Sequence, residues 1–293
     1  MRVLLTGASG FVGRYVLRAL QHRGIEVVVV GRARMQASVT FVEADLLSIT
    51  DFAPLQEKTQ ATHLLHLAWY AEHGKYWTSP LNLRWAEATT RLVEAFCAAG
   101  GQQVVLAGTC AEYDWTHGYC REDSTPLNPA TFYGSAKDAT RRLVRVVCDQ
   151  HQVPCAWGRI FLPFGLGESA SRLIPSLIEV FRGVRAPFGV NLMAYRDFLY
   201  ASDVAEGFVR LLTQGACGAY NVCSGEPTRL VEVVTTVASL LGADPEPVLA
   251  LATERPGEPP LLVGENLKLK MLGWRPALTL TQGLEHMLYG EKP

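Results

Sequence analysis

The chain has 293 residues, of which 48% are hydrophobic and 19% are charged, a composition that can bury one large core and a smaller second domain. Its 27 lysines and arginines balance 28 aspartates and glutamates, and no basic block is present, so nucleic acid is not expected as a partner. No apolar run is long enough to span a bilayer, and the opening MRVLLTGASG is typical of neither a secretion signal nor a transit peptide. We therefore expect a cytoplasmic protein without a membrane partner.

The seven cysteines include no CxxC pair, which argues against a disulfide framework and against a zinc ribbon. Most of them are expected to be small buried hydrophobic residues. His63 and His66 lie three residues apart in an apolar run that we predict to be a strand, so their side chains point to opposite faces. This argues against a shared metal ion, and no metal site is predicted.

Short apolar runs alternate with amphipathic helical periodicity through the first half of the chain. The runs are RVLLT, IEVVVV, VTFVEA, THLLHLA and QQVVLA, and the helical segments include FVGRYVLRALQHR and a long stretch near 83–99. Continuous apolar strands separated by amphipathic helices predict a parallel sheet that is covered on both faces. The expected fold class is therefore α/β, a doubly wound parallel sheet of the Rossmann type.

The second half of the chain is less regular. One more helix and strand, SAKDATRRLVRVVCDQ and PCAWGRIF, precede LPFGLGESASRLIP, which is rich in Gly, Pro and Ser and breaks the alternation. We predict a dinucleotide-binding domain over residues 1–164, to which residues 195–223 return. Residues 165–194 and 224–293 are expected to form a smaller, discontinuous C-terminal domain that binds substrate.

The segment LLTGASGFVGRYV places Gly7, Gly10 and Gly13 where the first strand turns into the first helix. Glycines at this turn let a pyrophosphate approach the main chain and direct the helix N-terminus at the phosphates. The spacing is GxxGxxG rather than GxGxxG, but its position at the start of an alternating α/β chain predicts a dinucleotide site. Further cofactor contacts are expected from Ser9, Phe11, Val12, Leu46, Leu67 and Ala68.

The end of the second strand, VVVVGRAR, is where a carboxylate would bind the ribose of NAD and an arginine would suit the 2′-phosphate of NADP. Neither Asp nor Glu is present there, Gly31 lacks a side chain, and Arg32 and Arg34 supply guanidinium groups. NADP(H) is therefore favoured, while NAD stays possible. Asp45, after the third strand, is expected either to accept a hydrogen bond from the adenine amine or to cap a helix.

Tyr133 and Lys137 lie four residues apart in FYGSAK at the start of a predicted helix, so both side chains project from one face. A tyrosine with a pKa of about 10 is a poor acid–base catalyst near neutral pH unless a positive charge stabilises the phenolate. Lys137 and an oxidised nicotinamide would provide that charge. Thr109 ends the preceding apolar strand and could face Tyr133 across the nicotinamide pocket.

This combination of motifs resembles the extended short-chain dehydrogenase/reductase superfamily, also described as the NAD-dependent epimerase/dehydratase family, and especially its sugar-nucleotide branch. Further similarities are HLAW at 66–69, YRDFLYASDVAEG, YNVCSGEPTRL and GENLKLKMLGWRP. The resemblance implies that Tyr133 is the acid–base residue, that Lys137 anchors the nicotinamide ribose, and that Thr109 hydrogen-bonds the sugar oxygen. Arg196 and Arg255 match positions that tend to hold the substrate diphosphate.

The sequence also departs from the family pattern. RIFLPFGLG has Leu162 and Leu166 where Asn and Pro are frequent, which removes one polar contact to substrate. Cys110 and Ala111 occupy the positions of the Asp and Glu that eliminate water in the 4,6-dehydratases. The GRAR segment does not favour the 4-epimerases, which retain NAD tightly. The chain is therefore most similar to the 4-keto-6-deoxy-sugar-nucleotide reductases, such as GDP-4-keto-6-deoxy-mannose reductase.

Cys110 and Glu112 follow the predicted strand that ends at Thr109. Glu112 is expected either to touch a sugar hydroxyl or to be a salt-bridged loop carboxylate, and Cys110 is expected to be a buried structural thiol. The aromatic loop, comprising Trp69, Tyr70, His73, Tyr76 and Trp77, is expected either to stack on substrate or to pack between domains.

Three functions are compatible with these motifs: NADPH-dependent reduction of a 4-keto nucleotide sugar, epimerisation on a retained cofactor, and dinucleotide sensing without turnover. The intact Thr109, Tyr133 and Lys137 set favours an enzyme over a sensor. The resemblance also implies a homodimer, for which the stretches near 83–99 and 135–150 are the candidate helices. Neither the nucleotide nor the product configuration follows from any local pattern.

Overall fold

The computed structural model describes residues 1–34, 39–254 and 257–290. Its strands, in chain order, are β1 (Arg2–Thr6), β2 (Glu26–Gly31), β3 (Thr40–Glu43), β4 (His63–His66), β5 (Gln103–Thr109), β6 (Tyr119–Cys120), β7 (Cys155–Ile160), β8 (Leu162–Phe164), β9 (Tyr195–Arg196), β10 (Phe198–Tyr200), β11 (Gly218–Val222), β12 (Thr228–Arg229) and β13 (Leu261–Gly264).

The described part of the chain builds a seven-stranded parallel sheet with the order β11-β7-β5-β4-β1-β2-β3. Strand β1 lies between β2 and β4, with Thr6 level with Val30 on one side and with His66 on the other. The order of strands reverses at this point, and a crevice for ligand forms there outside the carboxyl ends of the strands. The predicted doubly wound parallel fold is confirmed.

The helices are α1 (Phe11–His22), α2 (Ala53–Thr59), α3 (Leu81–Ala98), α4 (Phe132–Gln150), α5 (Leu173–Phe181), α6 (Ala201–Thr213), α7 (Leu230–Leu240), α8 (Glu246–Leu249), α9 (Leu267–Met271) and α10 (Leu280–Tyr289). On one face of the sheet, α1 packs beside α6, and on the other, α3 packs beside α4. Buried apolar residues from the helices form a separate core with each face. None of the helices in the described ranges is long and apolar enough to cross a membrane.

A smaller four-stranded sheet has the order β12-β9-β13-β6. Between β9 and β10, the buried carboxylate of Asp197 accepts hydrogen bonds from the backbone of Ser224, Gly225 and Gly264 at 2.7, 3.0 and 3.2 Å. The Asp197 side chain therefore links two segments, the one that follows β11 and the one that contains β13. The sheet combines β6 with strands from later in the chain, and the predicted division into two domains stays a prediction.

A buried ion pair fixes the segment that follows β5. Glu112 and Arg159 are 0% and 1% exposed, and the Arg159 Nε to Glu112 Oε2 distance is 2.7 Å. Glu112 Oε1 also accepts hydrogen bonds from the Thr109 backbone N–H at 2.8 Å and from Trp157 Nε1 at 2.9 Å. The Thr109 hydroxyl accepts a hydrogen bond from the backbone of Ala111, so a reciprocal cap closes the short 3₁₀ turn over residues 110–112.

The ion pair continues into a polar network that reaches the edge of the main sheet. Arg159 Nη1 donates to the Tyr113 hydroxyl at 2.9 Å, and this hydroxyl donates to Asn221 Oδ1 in β11 at 2.7 Å. Glu112 therefore contributes structure rather than substrate binding. The expectation that it touches a sugar hydroxyl is replaced by the salt-bridged alternative, because the carboxylate has no exposed surface and is surrounded by donors from its own chain.

We predict that Glu112→Ala lowers the free energy of unfolding by about 3–5 kcal/mol, because Arg159 would keep its charge in the core without a partner. Denaturant unfolding measures this change. The control is Glu206→Ala, which removes an exposed partner of Arg23 and should cost at most about 1 kcal/mol. Equal effects of the two substitutions would contradict the structural role assigned to Glu112.

Candidate active site

A cavity of about 500 Å³ opens at the carboxyl ends of the central strands. It extends from the turn after β1 and the end of β2 to the end of β5 and the first turns of α4. This is the crevice that the reversal of strand order predicts. For brevity, we call it the cofactor cavity.

The turn between β1 and α1 packs against neighbouring backbone without room for side chains. Gly7 has φ +73°, and a Cβ at this position would lie 2.7 Å from the backbone nitrogen of Ala68. A Cβ at Gly13 would lie 1.9 Å from the Gly7 carbonyl oxygen. These contacts require glycine at both positions, since any side chain would displace the loop or the helix.

Helix α1 begins at Phe11 after Gly10, which provides no side-chain cap, and its first turn contains no acidic residue. The first N–H groups of the helix and the positive end of its dipole therefore face the cavity without a competing carboxylate from the helix itself. A pyrophosphate is the kind of group that such a helix end binds. The residues present thus fit a dinucleotide.

Most of the residues predicted to bind the cofactor line this one cavity. They are Gly7, Ser9, Gly10, Phe11, Val12, Gly13, Arg32, Asp45, Leu46, Leu67, Ala68, Tyr133 and Lys137. Arg34 is exposed and does not line the cavity. The carboxylate of Asp45 accepts hydrogen bonds from the Leu47 N–H and the Ser48 hydroxyl, so it stabilises a local turn where it borders the cavity.

Thr109, Tyr133 and Lys137 meet at the other end of the cofactor cavity. Thr109 is positioned by the Glu112 cap, and the other two residues lie in the first turns of α4. Helix α4 begins after Thr131, whose hydroxyl accepts a hydrogen bond from the Gly134 N–H. Lys137 Nζ donates to the Ala107 carbonyl oxygen at 2.9 Å, which anchors the ammonium beside the end of β5.

Burial changes the proton affinity of both groups on α4. It raises the pKa of the Tyr133 phenol well above the usual value, and Tyr76 adds to the rise, whereas a side-chain hydrogen bond with Thr109 lowers it. Burial lowers the pKa of Lys137 to about 7, against an opposing effect of Glu112. The free protein therefore holds Tyr133 as a protonated phenol, the form that can donate a proton.

Aromatic rings enclose these polar groups. Tyr76 and Trp77 contact the Tyr133 ring edge-to-face with centroids 4.8 and 5.8 Å apart, and the Lys137 ammonium lies 3.8 Å from the centroid of the Trp69 ring. Trp69 in turn stacks on Trp85. The aromatic loop thus packs on the candidate catalytic residues, and the packing of Trp69 on Lys137 could not be seen in the local sequence pattern.

A second cavity of about 410 Å³ lies next to the first and carries guanidinium groups on its wall. Arg172, Arg185 and Arg196 line it, together with Phe188 and Leu162. Arg196 Nη1 donates to the carbonyl oxygens of two residues, each at 2.8 Å. The predicted diphosphate-binding Arg196 is therefore in this cavity, whereas Arg255 lies outside the described residues.

Glu168 and Arg172 line both cavities, and neither residue was predicted from the sequence. Arg172 Nε is 3.4 Å from Glu168 Oε1, and burial raises the pKa of Glu168 to about 7 although Arg172 opposes the rise. The sequence did contain an indication of them, because Glu168 and Arg172 are the charged residues in the otherwise uncharged segment LPFGLGESASRLIP. Its broken periodicity suggested only a departure from the sheet.

Comparison with known proteins supports the family resemblance that the motifs indicate. The sequence model of the family described as "NAD dependent epimerase/dehydratase family" matches residues 3–223. The UDP-glucose 4-epimerase of Azospirillum brasilense is 28% identical over 307 aligned residues, which cover 94% of this chain and 87% of that protein. The dTDP-6-deoxy-L-talose 4-dehydrogenase (NAD(+)) of Aggregatibacter actinomycetemcomitans is 26% identical, with 78% of this chain and 87% of that protein covered.

Among solved structures, MoeE5 in complex with UDP-glucose and NAD superposes with a TM-score of 0.85 and 27% identity, covering 98% of this chain and 97% of that one. These relatives are named as an epimerase, a dehydrogenase and a protein that binds NAD, so the narrower resemblance to 4-keto reductases stays a prediction. The resemblance at the level of the family is confirmed. The chain belongs to the NAD-dependent epimerase/dehydratase family and is an enzyme of the short-chain dehydrogenase/reductase type.

Proposed function

We propose that the protein reduces a 4-keto group on the sugar of a nucleotide sugar, with NADPH as the favoured cofactor. The observation that carries this proposal is the meeting of Thr109, Tyr133 and Lys137 at one end of a cavity whose other end is the glycine turn before α1. Such an arrangement places a proton donor where a dinucleotide would place its reactive ring.

A nicotinamide bound in the cofactor cavity would supply the hydride. In the reducing direction, the Tyr133 hydroxyl donates its proton to the carbonyl oxygen as that oxygen becomes an alcohol. The Thr109 hydroxyl orients the same oxygen by a hydrogen bond. Lys137 stabilises the phenolate left on Tyr133, because a negative charge nearby favours the ammonium form of a lysine whose pKa is about 7.

The nucleotide sugar is proposed from the second cavity and from the relatives. Arg172, Arg185 and Arg196 offer planar guanidinium groups beside the cofactor cavity, and such groups suit a diphosphate. The relatives at 28% and 26% identity carry names that refer to UDP-glucose and to a dTDP-linked deoxy sugar. By resemblance, Arg255, which lies outside the described residues, is also expected to bind the diphosphate.

Reduction is favoured over dehydration by the residues that follow β5, and the name of one relative supports it. Cys110 and Ala111 are 7% and 3% exposed and carry no carboxylate, so the acid and base of a 4,6-dehydratase are not supplied by these positions. The dehydrogenase relative is named for oxidation at C4 of a 6-deoxy sugar, the reverse of the proposed reaction. A nucleotide-sugar 4-epimerase is the second candidate, because an epimerase relative covers 94% of this chain.

We also propose that two copies associate through α3 and α4, as the family resemblance implies. On α4, Leu143 and Val146 are 54% and 55% exposed, and Leu83 on α3 is 65% exposed. Large apolar side chains at three exposed positions of two neighbouring helices are compatible with a helix-to-helix interface.

The activity test follows nicotinamide absorbance while the protein acts on a panel of nucleotide-linked 4-keto-6-deoxy sugars with NADPH or NADH. Stoichiometric NADPH consumption with one keto sugar is expected, and Tyr133→Phe should lower kcat by about 10²–10⁴-fold because it removes the proton donor. Exposed Tyr289→Phe is the matched control. Conversion of an unoxidised sugar nucleotide to its isomer without NADPH consumption would establish the epimerase instead.

A second prediction concerns the charge of Lys137. Its pKa is about 7 in the folded protein and about 10.4 in an unfolded chain, so between these values only the unfolded state holds the proton. As pH rises above 7, the wild type should therefore become more stable relative to Lys137→Met. The gain in its free energy of unfolding should be up to about 1.4 kcal/mol per pH unit.

Denaturant unfolding at pH 6, 7, 8 and 9 measures this difference, with exposed Lys58→Met as the control for removal of a lysine. Below pH 7 both states of the wild type are protonated, so the difference should level off there. A difference that stays constant up to pH 9 would mean that burial does not depress the pKa of Lys137.

A third prediction tests the cofactor. Arg32→Ala should raise the KM for NADPH about tenfold to a hundredfold and change the KM for NADH less than about twofold, because a hydrogen bond to a charged group contributes about 1.5–3 kcal/mol. Steady-state kinetics with the two cofactors measure both constants, and Arg18→Ala on the exposed side of α1 is the control. Equal effects on NADPH and NADH would remove the assigned role of Arg32.

A further inference from the structure

The two cavities meet at a neck lined by His73, Pro163, Glu168 and Arg172, which border both of them. Under the proposed function, on which this inference rests, the reacting carbon must reach Tyr133 in the cofactor cavity. The diphosphate must reach the arginines in the second cavity. The sugar ring that joins the two therefore has to occupy the neck.

Glu168 is the carboxylate at this neck, and one of its oxygens has no donor. The side chain is 7% exposed and its Oε1 pairs with Arg172. The other oxygen, Oε2, is buried and has no hydrogen-bond partner in the described structure. Leaving a buried polar atom unpaired is costly, and Glu168 lines both cavities, so the unpaired oxygen indicates a missing donor.

The chemistry of a nucleotide sugar restricts what this donor can be. When Glu168 is ionised, above its pKa of about 7, a diphosphate cannot satisfy Oε2, because phosphate oxygens are acceptors and carry the same sign of charge as a carboxylate. A sugar hydroxyl is a donor, and several of them surround the ring. We propose that Glu168 determines sugar specificity by accepting a hydrogen bond from a ring hydroxyl of the substrate hexose, while Arg172 holds the carboxylate in place.

This assignment predicts which substrates the enzyme rejects. A site that pairs a buried acceptor with a substrate hydroxyl discriminates strongly against the analogue that lacks the hydroxyl, because the acceptor is then left unpaired. The hydroxyl concerned is not the one at the reacting carbon, since Tyr133 and Thr109 serve that oxygen. Glu168 thus recognises a hydroxyl group at a second position of the sugar.

The test is a thermodynamic cycle. The Glu168 carboxylate is removed by mutation, a sugar hydroxyl is removed by using a deoxy analogue, and the two changes are made separately and together. Calorimetric titration at pH 8 measures the affinity of the cofactor-loaded protein for a nucleotide sugar, for its mono-deoxy analogues and for the nucleoside diphosphate alone. In the wild type, one deoxy analogue should bind about tenfold more weakly than the parent sugar, a change of about 1.4 kcal/mol. In Glu168→Ala, that analogue and the parent should bind equally.

Two further variants and two other ligands make the outcome decisive. Glu168→Gln, which keeps the size of the side chain, should reduce the penalty for the deoxy analogue, and Glu87→Gln on the exposed face of α3 should leave it unchanged. Binding of the nucleoside diphosphate alone should weaken in none of the variants, because the Glu168 carboxylate offers phosphate oxygens no donor and its removal frees Arg172. Loss of NADPH affinity in Glu168→Ala without a change for the sugar would overturn the inference, since the donor would then belong to the cofactor.

The failure of this inference can be told apart from that of the proposed function. If the wild type binds nucleotide sugars and every deoxy analogue suffers the same penalty with and without Glu168, the specificity role is wrong while the proposed reaction stands. If the wild type binds no nucleotide sugar at all, the proposed reaction is wrong, and the role of Glu168 at the sugar is wrong with it.

Discussion

The buried ion pair between Glu112 and Arg159 is the constraint on which the geometry of the active site depends. A carboxylate without access to water is stable only when donors surround it, and here the donors come from the backbone of Thr109 and from two side chains of β7. The pair therefore fixes the direction in which the chain leaves β5. Because the Thr109 side chain caps the turn that Glu112 closes, the position of its hydroxyl follows from an interaction in the core.

The sequence predicted the main sheet because buried parallel strands are apolar throughout and the helices between them carry a periodic apolar face. The glycine turn and the spacing of Tyr133 and Lys137 were also readable, since both are local. For Glu112 the sequence left two alternatives open, a sugar contact and a salt bridge, because its partner Arg159 is 47 residues away in the chain. The neck formed by Glu168 and Arg172 was missed for a related reason: it combines a loop without periodicity with the walls of two cavities.

The site joins two regions with different electrostatic requirements. The cofactor cavity contains the N-terminus of α1, whose first turn has no acidic residue, so this part of the cavity favours an anionic group. The second cavity is lined by arginines. Glu168 lies at the neck between these regions, and under the proposed function the bound ligands would bring phosphate groups to both regions and sugar hydroxyl groups to the neck. A cofactor with a nucleotide sugar has this distribution of groups.

The packing of Trp69 on Lys137 has a practical consequence for spectroscopy. Of the six tryptophans in the chain, Trp69 and Trp85 line the cofactor cavity, whereas Trp274 is 3% exposed in the core beside α6. The indole nearest the Lys137 ammonium thus also lines the cavity in which a dinucleotide is proposed to bind. The intrinsic fluorescence of the protein is therefore expected to change when this cavity is occupied, and no dye or label has to be attached.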